Sequence, residues 1–162
     1  MSDNAEGIET SAAGWTTGSG TFSRDTTRFR TGAASLKIVS AVIGDTFCYS
    51  NGNIAGIVAG TTYTLYSYVF TTLTGRTAKV GCDWKTSSNA FVSSFASSAV
   101  TLTANTWTLV GPFTAVAPAT ATQATAYVPW AVSSATSQSF WFDDLFFGIP
   151  PVTVQQGWGV PI

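Results

Sequence analysis

The chain is expected to fold as an all-β sandwich of jelly-roll type, with about nine or ten strands. Three observations predict this. No stretch carries a 3.6-residue apolar repeat of helical length. Charged residues make up only 9% of the chain, and Ser, Thr, Gly and Ala supply most of the remainder, a mixture that suits strands better than helices. Short alternating or aromatic runs also recur between turn signals along the whole sequence. At 162 residues the chain is one domain that buries roughly 70% of its unfolded surface. That domain is expected over residues 1–149, with 150–162 as an apolar tail.

In chain order, residues 4–15 read as a short strand ending in a turn at Gly14-Trp15. Residues 21–30 carry a concentration of charge in Arg24, Asp25, Arg28 and Arg30. Thr31-Gly32-Ala33-Ala34 turns into a strand over 35–39 with Leu36 and Ile38 toward the core. Residues 45–50 form the next strand, closed by the turn Asn51-Gly52-Asn53. The run 63–70 divides cleanly, Tyr63, Leu65, Ser67 and Val69 on one face and Thr64, Tyr66, Tyr68 and Phe70 on the other. After Thr74-Gly75-Arg76, the run 78–85 sets Ala78, Val80, Cys82 and Trp84 against Lys79, Gly81, Asp83 and Lys85. A turn at Ser87-Ser88-Asn89 leads to an edge strand over 91–95, and runs at 100–103, 107–114 and 123–130 follow.

The last strand is Phe140-Trp141-Phe142-Asp143-Asp144-Leu145-Phe146-Phe147. Strict alternation puts Trp141, Asp143, Leu145 and Phe147 on one face and Phe140, Phe142, Asp144 and Phe146 on the other. Both faces are apolar apart from one carboxylate each, so the strand is central and its carboxylates need partners. The chain has no Lys or Arg after Lys85. A metal ion or a ring of backbone N–H groups is the expected partner, with Arg28 or Arg30 as the alternative.

Several functions are excluded or disfavoured. With 7 basic and 8 acidic residues there is no basic stripe for nucleic acid. No apolar run reaches transmembrane length. The opening Met-Ser-Asp-Asn-Ala-Glu-Gly is polar and acidic, so no secretory signal is expected. The chain has no histidine, which removes Ser-His-Asp and Cys-His arrangements. Asp143 and Asp144, adjacent on a strand, are expected to point apart and not to flank one glycosidic bond. No Gly-rich phosphate loop is present, and a non-enzyme is expected. Cys48 and Cys82 read as small buried hydrophobes, a disulfide between them being the alternative.

Residues Asn4-Ala5-Glu6-Gly7-Ile8-Glu9 with Gly14-Trp15 resemble the opening of carbohydrate-binding modules of families four, nine and twenty-two, galactose-binding-like jelly rolls. Gly32-Ala33-Ala34-Ser35-Leu36 is similar to their Gly-x-x-Ser-Leu strand start. Ala59-Gly60-Thr61-Thr62-Tyr63-Thr64-Leu65 is similar to their Pro-Gly-x-x-Tyr-x-Phe, with Ala for Pro. Thr101-Leu102-Thr103-Ala104-Asn105-Thr106-Trp107 and Phe142-Asp143-Asp144-Leu145 complete the order, so the resemblance spans about residues 4–148.

The resemblance implies a structural calcium held by Glu9 and Asp143 or Asp144, with backbone carbonyls near Gly7 and in the 27–32 turn. Asp143 is preferred over Asp144. It also implies a glycan surface of aromatic rings and polar groups. Tyr66 and Tyr68 are expected there, with Lys79, Asp83 and Lys85 on a neighbouring strand and Trp15, Tyr127 and Trp130 flanking. Trp84, Trp107, Trp130 and Trp141 have a core position as the competing expectation.

The expected function is a non-catalytic decoration or tail protein of a bacteriophage particle on this fold, at the virion surface, contacting host glycans. The alternative is a free-standing or enzyme-derived, extracellular carbohydrate-binding module. The tail, with Val152, Val154 and Trp158, is expected either to strap its own sandwich or to reach a neighbouring subunit of a homo-oligomer or particle.

Overall fold

The computed structural model describes residues 8–149. Twelve strands build two antiparallel sheets: β1 (Trp15–Thr17), β2 (Thr21–Asp25), β3 (Ser35–Val39), β4 (Gly44–Ser50), β5 (Ile54–Ala55), β6 (Thr62–Phe70), β7 (Thr77–Lys85), β8 (Phe91–Ala96), β9 (Val100–Thr101), β10 (Thr108–Val116), β11 (Gln123–Ser133) and β12 (Ser139–Gly148). One sheet has the order β1-β4-β11-β7-β8, with β5 beside β11 and β9 beside β7; the other runs β10-β6-β12-β3-β2. The all-β sandwich is therefore the observed architecture.

The core lies between the sheets, where the alternation of β6 and β7 sends its apolar sets. Leu65 and Val69 on one side meet Ala78, Val80, Cys82 and Trp84 on the other, all buried. Cys48 and Cys82 are free thiols in this core. Burial pushes both up to about 12, so they act as packing groups. Trp84 is a core residue as expected, and so is Trp15, which the sequence placed beside a glycan surface. Trp107 and Trp130 are only half-buried and outside the core.

Three local expectations are corrected. Residues 8–10 are helical rather than extended. The Arg24 guanidinium takes the carbonyls of Ile8 and Glu9, which turns these groups toward a side chain instead of a strand partner. β2 and the two-residue β5 were not anticipated as strands.

The third correction is the alternation of β12. Its pairing with β6 slips between Asp143 and Phe146, so that Asp144 and Leu145 of β12 together oppose Ser67 of β6, and Asp144 has φ 47°. This is a β-bulge. It resets the parity of the strand: Phe140 and Phe142 before it, and Leu145 and Phe147 after it, all join the core. Trp141 and Phe146 go to the outer face, where Trp141 lies against Arg28 and Lys37.

Candidate functional site

The two sheets carry different outer faces. β6 and β7 are consecutive in sequence but belong to different sheets, so Tyr66 and Tyr68 are not neighbours of Asp83 and Lys85. The anticipated single surface is two.

On the five-stranded sheet, the Arg28 guanidinium lies 4.3 Å from the Phe70 ring centre and 4.4 Å from that of Trp141. The Trp141 indole donates to Asp25 Oδ2 at 2.8 Å. Arg30 covers the Tyr68 ring at 3.7 Å, and Tyr66 stacks on Phe146 at 5.0 Å and 10°. Arg30, Thr31, Tyr66, Tyr68, Asp144 and Phe146 surround a cleft of about 360 Å³. A face of each tyrosine ring is thus already covered.

The Asp143–Asp144 bulge opens onto this cleft, and the two carboxylates do not point apart. Asp143, only 2% exposed, accepts from the N–H of Arg30 (2.6 Å), Thr31 (3.1 Å) and Asp144 (2.8 Å). Asp144 takes the Arg30 guanidinium and the Thr31 hydroxyl. Burial pushes the Asp143 carboxyl up, and the three N–H donors offset this only in part. From the other side, Glu9 Oε2 accepts the Ala33 N–H at 2.6 Å. A Cβ on Gly32 would fall 2.0 Å from Glu9 Oε1, so this contact needs glycine there.

Loop 30–33 is therefore held by Glu9, Asp143 and Asp144 through donors of its own. A calcium ion needs six to eight oxygens turned toward one point. Among the described residues, no group of three or more His, Cys, Asp or Glu side chains is placed to share a cation. The arrangement fits hydrogen-bonded carboxylates better than a calcium cage. Gly7 lies outside the described residues.

The outer face of the seven-stranded sheet is built differently. Phe47 and Tyr49 from β4 meet Tyr127 and Trp130 from β11, with centroid distances of 5.5 to 6.2 Å among four contacting pairs. Trp130 follows a register shift in β11 and its ring extends over Gly81 of β7. A Cβ at Gly81 would stand 2.9 Å from that ring and 2.5 Å from the Phe95 carbonyl oxygen, so only glycine lets the indole settle there. Lys79 sits 4.4 Å from the Trp130 ring centre and pairs with Asp45 at 3.1 Å.

Two cavities lie along this face and share Tyr127. One, about 240 Å³, is walled by Phe47, Phe95, Tyr127 and Trp130 with Asp83 at its edge. The other, about 410 Å³, is polar, with Asn53, Lys85, Asn89, Thr125 and Tyr49 among its lining. Asn53 organises the polar half. Its Oδ1 accepts from Lys85 Nζ (3.2 Å) and Thr125 Oγ1 (3.1 Å), while its Nδ2 donates to Asn89 Oδ1 (2.7 Å) and Gln123 Oε1 (2.8 Å). The Tyr127 hydroxyl donates to Asp83 Oδ2 at 2.6 Å. Burial and this bond raise the phenol's pKa.

Of the anticipated glycan residues, Asp83 and Lys85 lie here with the flanking Tyr127 and Trp130. Phe47, Phe95, Asn53, Asn89 and Thr125 were missed. Alternation in residues 45–50 separates Phe47 and Tyr49 from the core residues Thr46 and Cys48, which is a usable signal. Asn53 reads only as a turn residue. Val152, Val154 and Trp158 lie outside the described residues.

No protein-family model matches the chain, and no curated protein matches it in sequence. Solved structures do match its fold. The C-terminal family 22 carbohydrate-binding module of a Clostridium thermocellum xylanase superposes with TM-score 0.67 at 18% identity, over 91% of this chain and 93% of that one. The CBM22-1 and GH10 modules of the Clostridium thermocellum endo-1,4-β-D-xylanase 10B, complexed with xylohexaose, give 0.68 at 16% identity over 87% of this chain. The enzymatically active domain of tailspike protein 4 of bacteriophage CBA120 gives 0.66 at 14% identity over 90%. The chain spans 27% of that two-module structure and 20% of the tailspike structure. At these identities the likeness establishes a jelly-roll sandwich of the kind found in carbohydrate-binding modules.

Proposed function

We propose that the chain is a non-catalytic structural protein of a bacteriophage particle, a decoration or tail component, that contacts polysaccharide through the groove on its seven-stranded sheet. One observation carries the glycan part: four aromatic rings on one accessible sheet face adjoin a polar pocket organised by Asn53. Apolar sugar faces pack on such rings, while hydroxyls require fixed donors and acceptors at the side. We place the sugar there rather than at Tyr66 and Tyr68, where Arg30 and Phe146 already occupy ring faces.

The particle part draws support from the weakly charged, Ser- and Thr-rich composition and from the fold shared with a phage tailspike domain. The competing reading is a carbohydrate-binding module of a polysaccharide-degrading enzyme, favoured by the near full-length match to a family 22 module. Mass spectrometry of purified particles separates the two.

A polysaccharide panel including host-envelope glycans tests the groove. Tyr127→Ala or Trp130→Ala should abolish binding, with melting curves confirming that each variant still folds. Binding that survives both removes the groove from consideration. Calcium at Glu9 and Asp143 is a separate proposal, which chelation tests. So is the tail as a docking arm: removing residues 150–162 should leave the domain folded and abolish oligomerisation or incorporation into particles. Unfolding of the truncated chain would overturn it.

A further inference from the structure

Asp83 and Lys85 are two residues apart on β7 and share its outer face, yet each is engaged elsewhere and they form no ion pair. Tyr127 takes the Asp83 carboxylate at 2.6 Å, and the Lys85 ammonium instead reaches the neutral Asn53 Oδ1 at 3.2 Å. Among the described residues, Lys85 has no acidic partner within 4.0 Å, whereas Lys79 on the same face is paired with Asp45. Lys85 lines the polar cavity, whose lining holds no carboxylate. One of its three N–H donors is spent on Asn53, leaving two. Asn89 Oδ1 is likewise taken by Asn53, which leaves the Asn89 amide N–H groups as donors. The pocket is thus a half-buried cation with a surplus of donors, beside an aromatic wall.

Resting on the carbohydrate reading above, we infer that the polar half of the groove takes an acidic sugar unit, a uronic acid whose carboxylate pairs with Lys85. The ring of the next sugar then lies on Tyr127 and Trp130. Charge-assisted bonding of a carboxylate in a part-desolvated pocket gives preference over the neutral sugar of about tenfold.

The test offers the full chain polysaccharides in matched pairs: polygalacturonate, alginate and hyaluronan, each beside its carboxyl-reduced neutral form. Polyglutamate serves as a polyanion without sugar. The acidic member of at least one pair should bind about tenfold tighter at low salt. Lys85→Gln should bring the acidic-to-neutral affinity ratio down to about one, and Lys85→Arg should retain the preference, melting temperatures confirming that both variants fold. Equal binding of both members of every pair overturns this inference and leaves the carbohydrate reading intact. Failure of every polysaccharide, together with the wider panel, overturns both. Polyglutamate binding as tight as the acidic glycans also overturns the inference, since net attraction then suffices.

Discussion

The Tyr127 hydroxyl donates to Asp83 Oδ2 at 2.6 Å, across the pairing of β11 with β7. Burial first, and this bond second, raise the phenol's pKa above its ordinary 10. The folded state thus holds this proton more tightly than the unfolded state does. The stabilisation is complete below pH 10 and is lost as pH rises through the raised folded value. In a spectrophotometric titration Tyr127 should ionise late, as should Tyr66, whose phenol burial also raises. Tyr127→Phe should remove one phenol from that late part of the curve and leave the other.

Asp25 gives the opposite sign. Burial raises its carboxyl, but bonds from the Thr27 hydroxyl, the Trp141 indole and the N–H groups of Thr27 and Arg28 outweigh this and bring it to about 2. Its contribution is present above the ordinary 3.8 and lost as pH falls toward about 2. Urea midpoints measured across that window should fall with pH in the parent, and less steeply in Asp25→Asn.

Asp143 should be intolerant of truncation. Asp143→Ala leaves the N–H groups of Arg30, Thr31 and Asp144 without their acceptor and should cost about 3–5 kcal/mol. Asp143→Asn keeps one acceptor oxygen and removes a buried charge, and should cost about 1–2 kcal/mol. Denaturant titration of both variants checks the order.

Chelation distinguishes the two accounts of Glu9 and Asp143. Hydrogen bonding alone predicts a melting temperature unchanged by saturating EDTA and by millimolar calcium. A drop of several degrees on chelation, restored by calcium, would establish the metal site.

Much of the sandwich was legible because burial on one face imposes a period of two. In β6 and β7 alternation separated the two faces, and the core members Tyr63, Leu65 and Val69 of β6 and Ala78, Val80, Cys82 and Trp84 of β7 each fall on a single one of them. β12 failed because a bulge changes the period at one residue, and nothing in Phe-Asp-Asp-Leu marks where the extra residue sits. The site was half-legible for a related reason. Alternation reveals which side of a strand a residue occupies, but not which sheet the strand joins. The step from β6 to β7 crosses between sheets, which separated Tyr66 and Tyr68 from Asp83 and Lys85. Asn53 was hidden because its role comes from four partners on other segments of the chain.

The bulge at Asp144 also separates two kinds of evolutionary constraint. At most strand positions chemistry decides what is tolerated, and at most loop positions length is free. Here length is fixed inside a strand. With φ at 47°, Asn or Gly can take the place at modest cost, whereas losing the residue would turn Leu145 and Phe147 out of the core together. Descendants of this chain should therefore vary in the letter written at 144 and hardly ever in whether a letter is there.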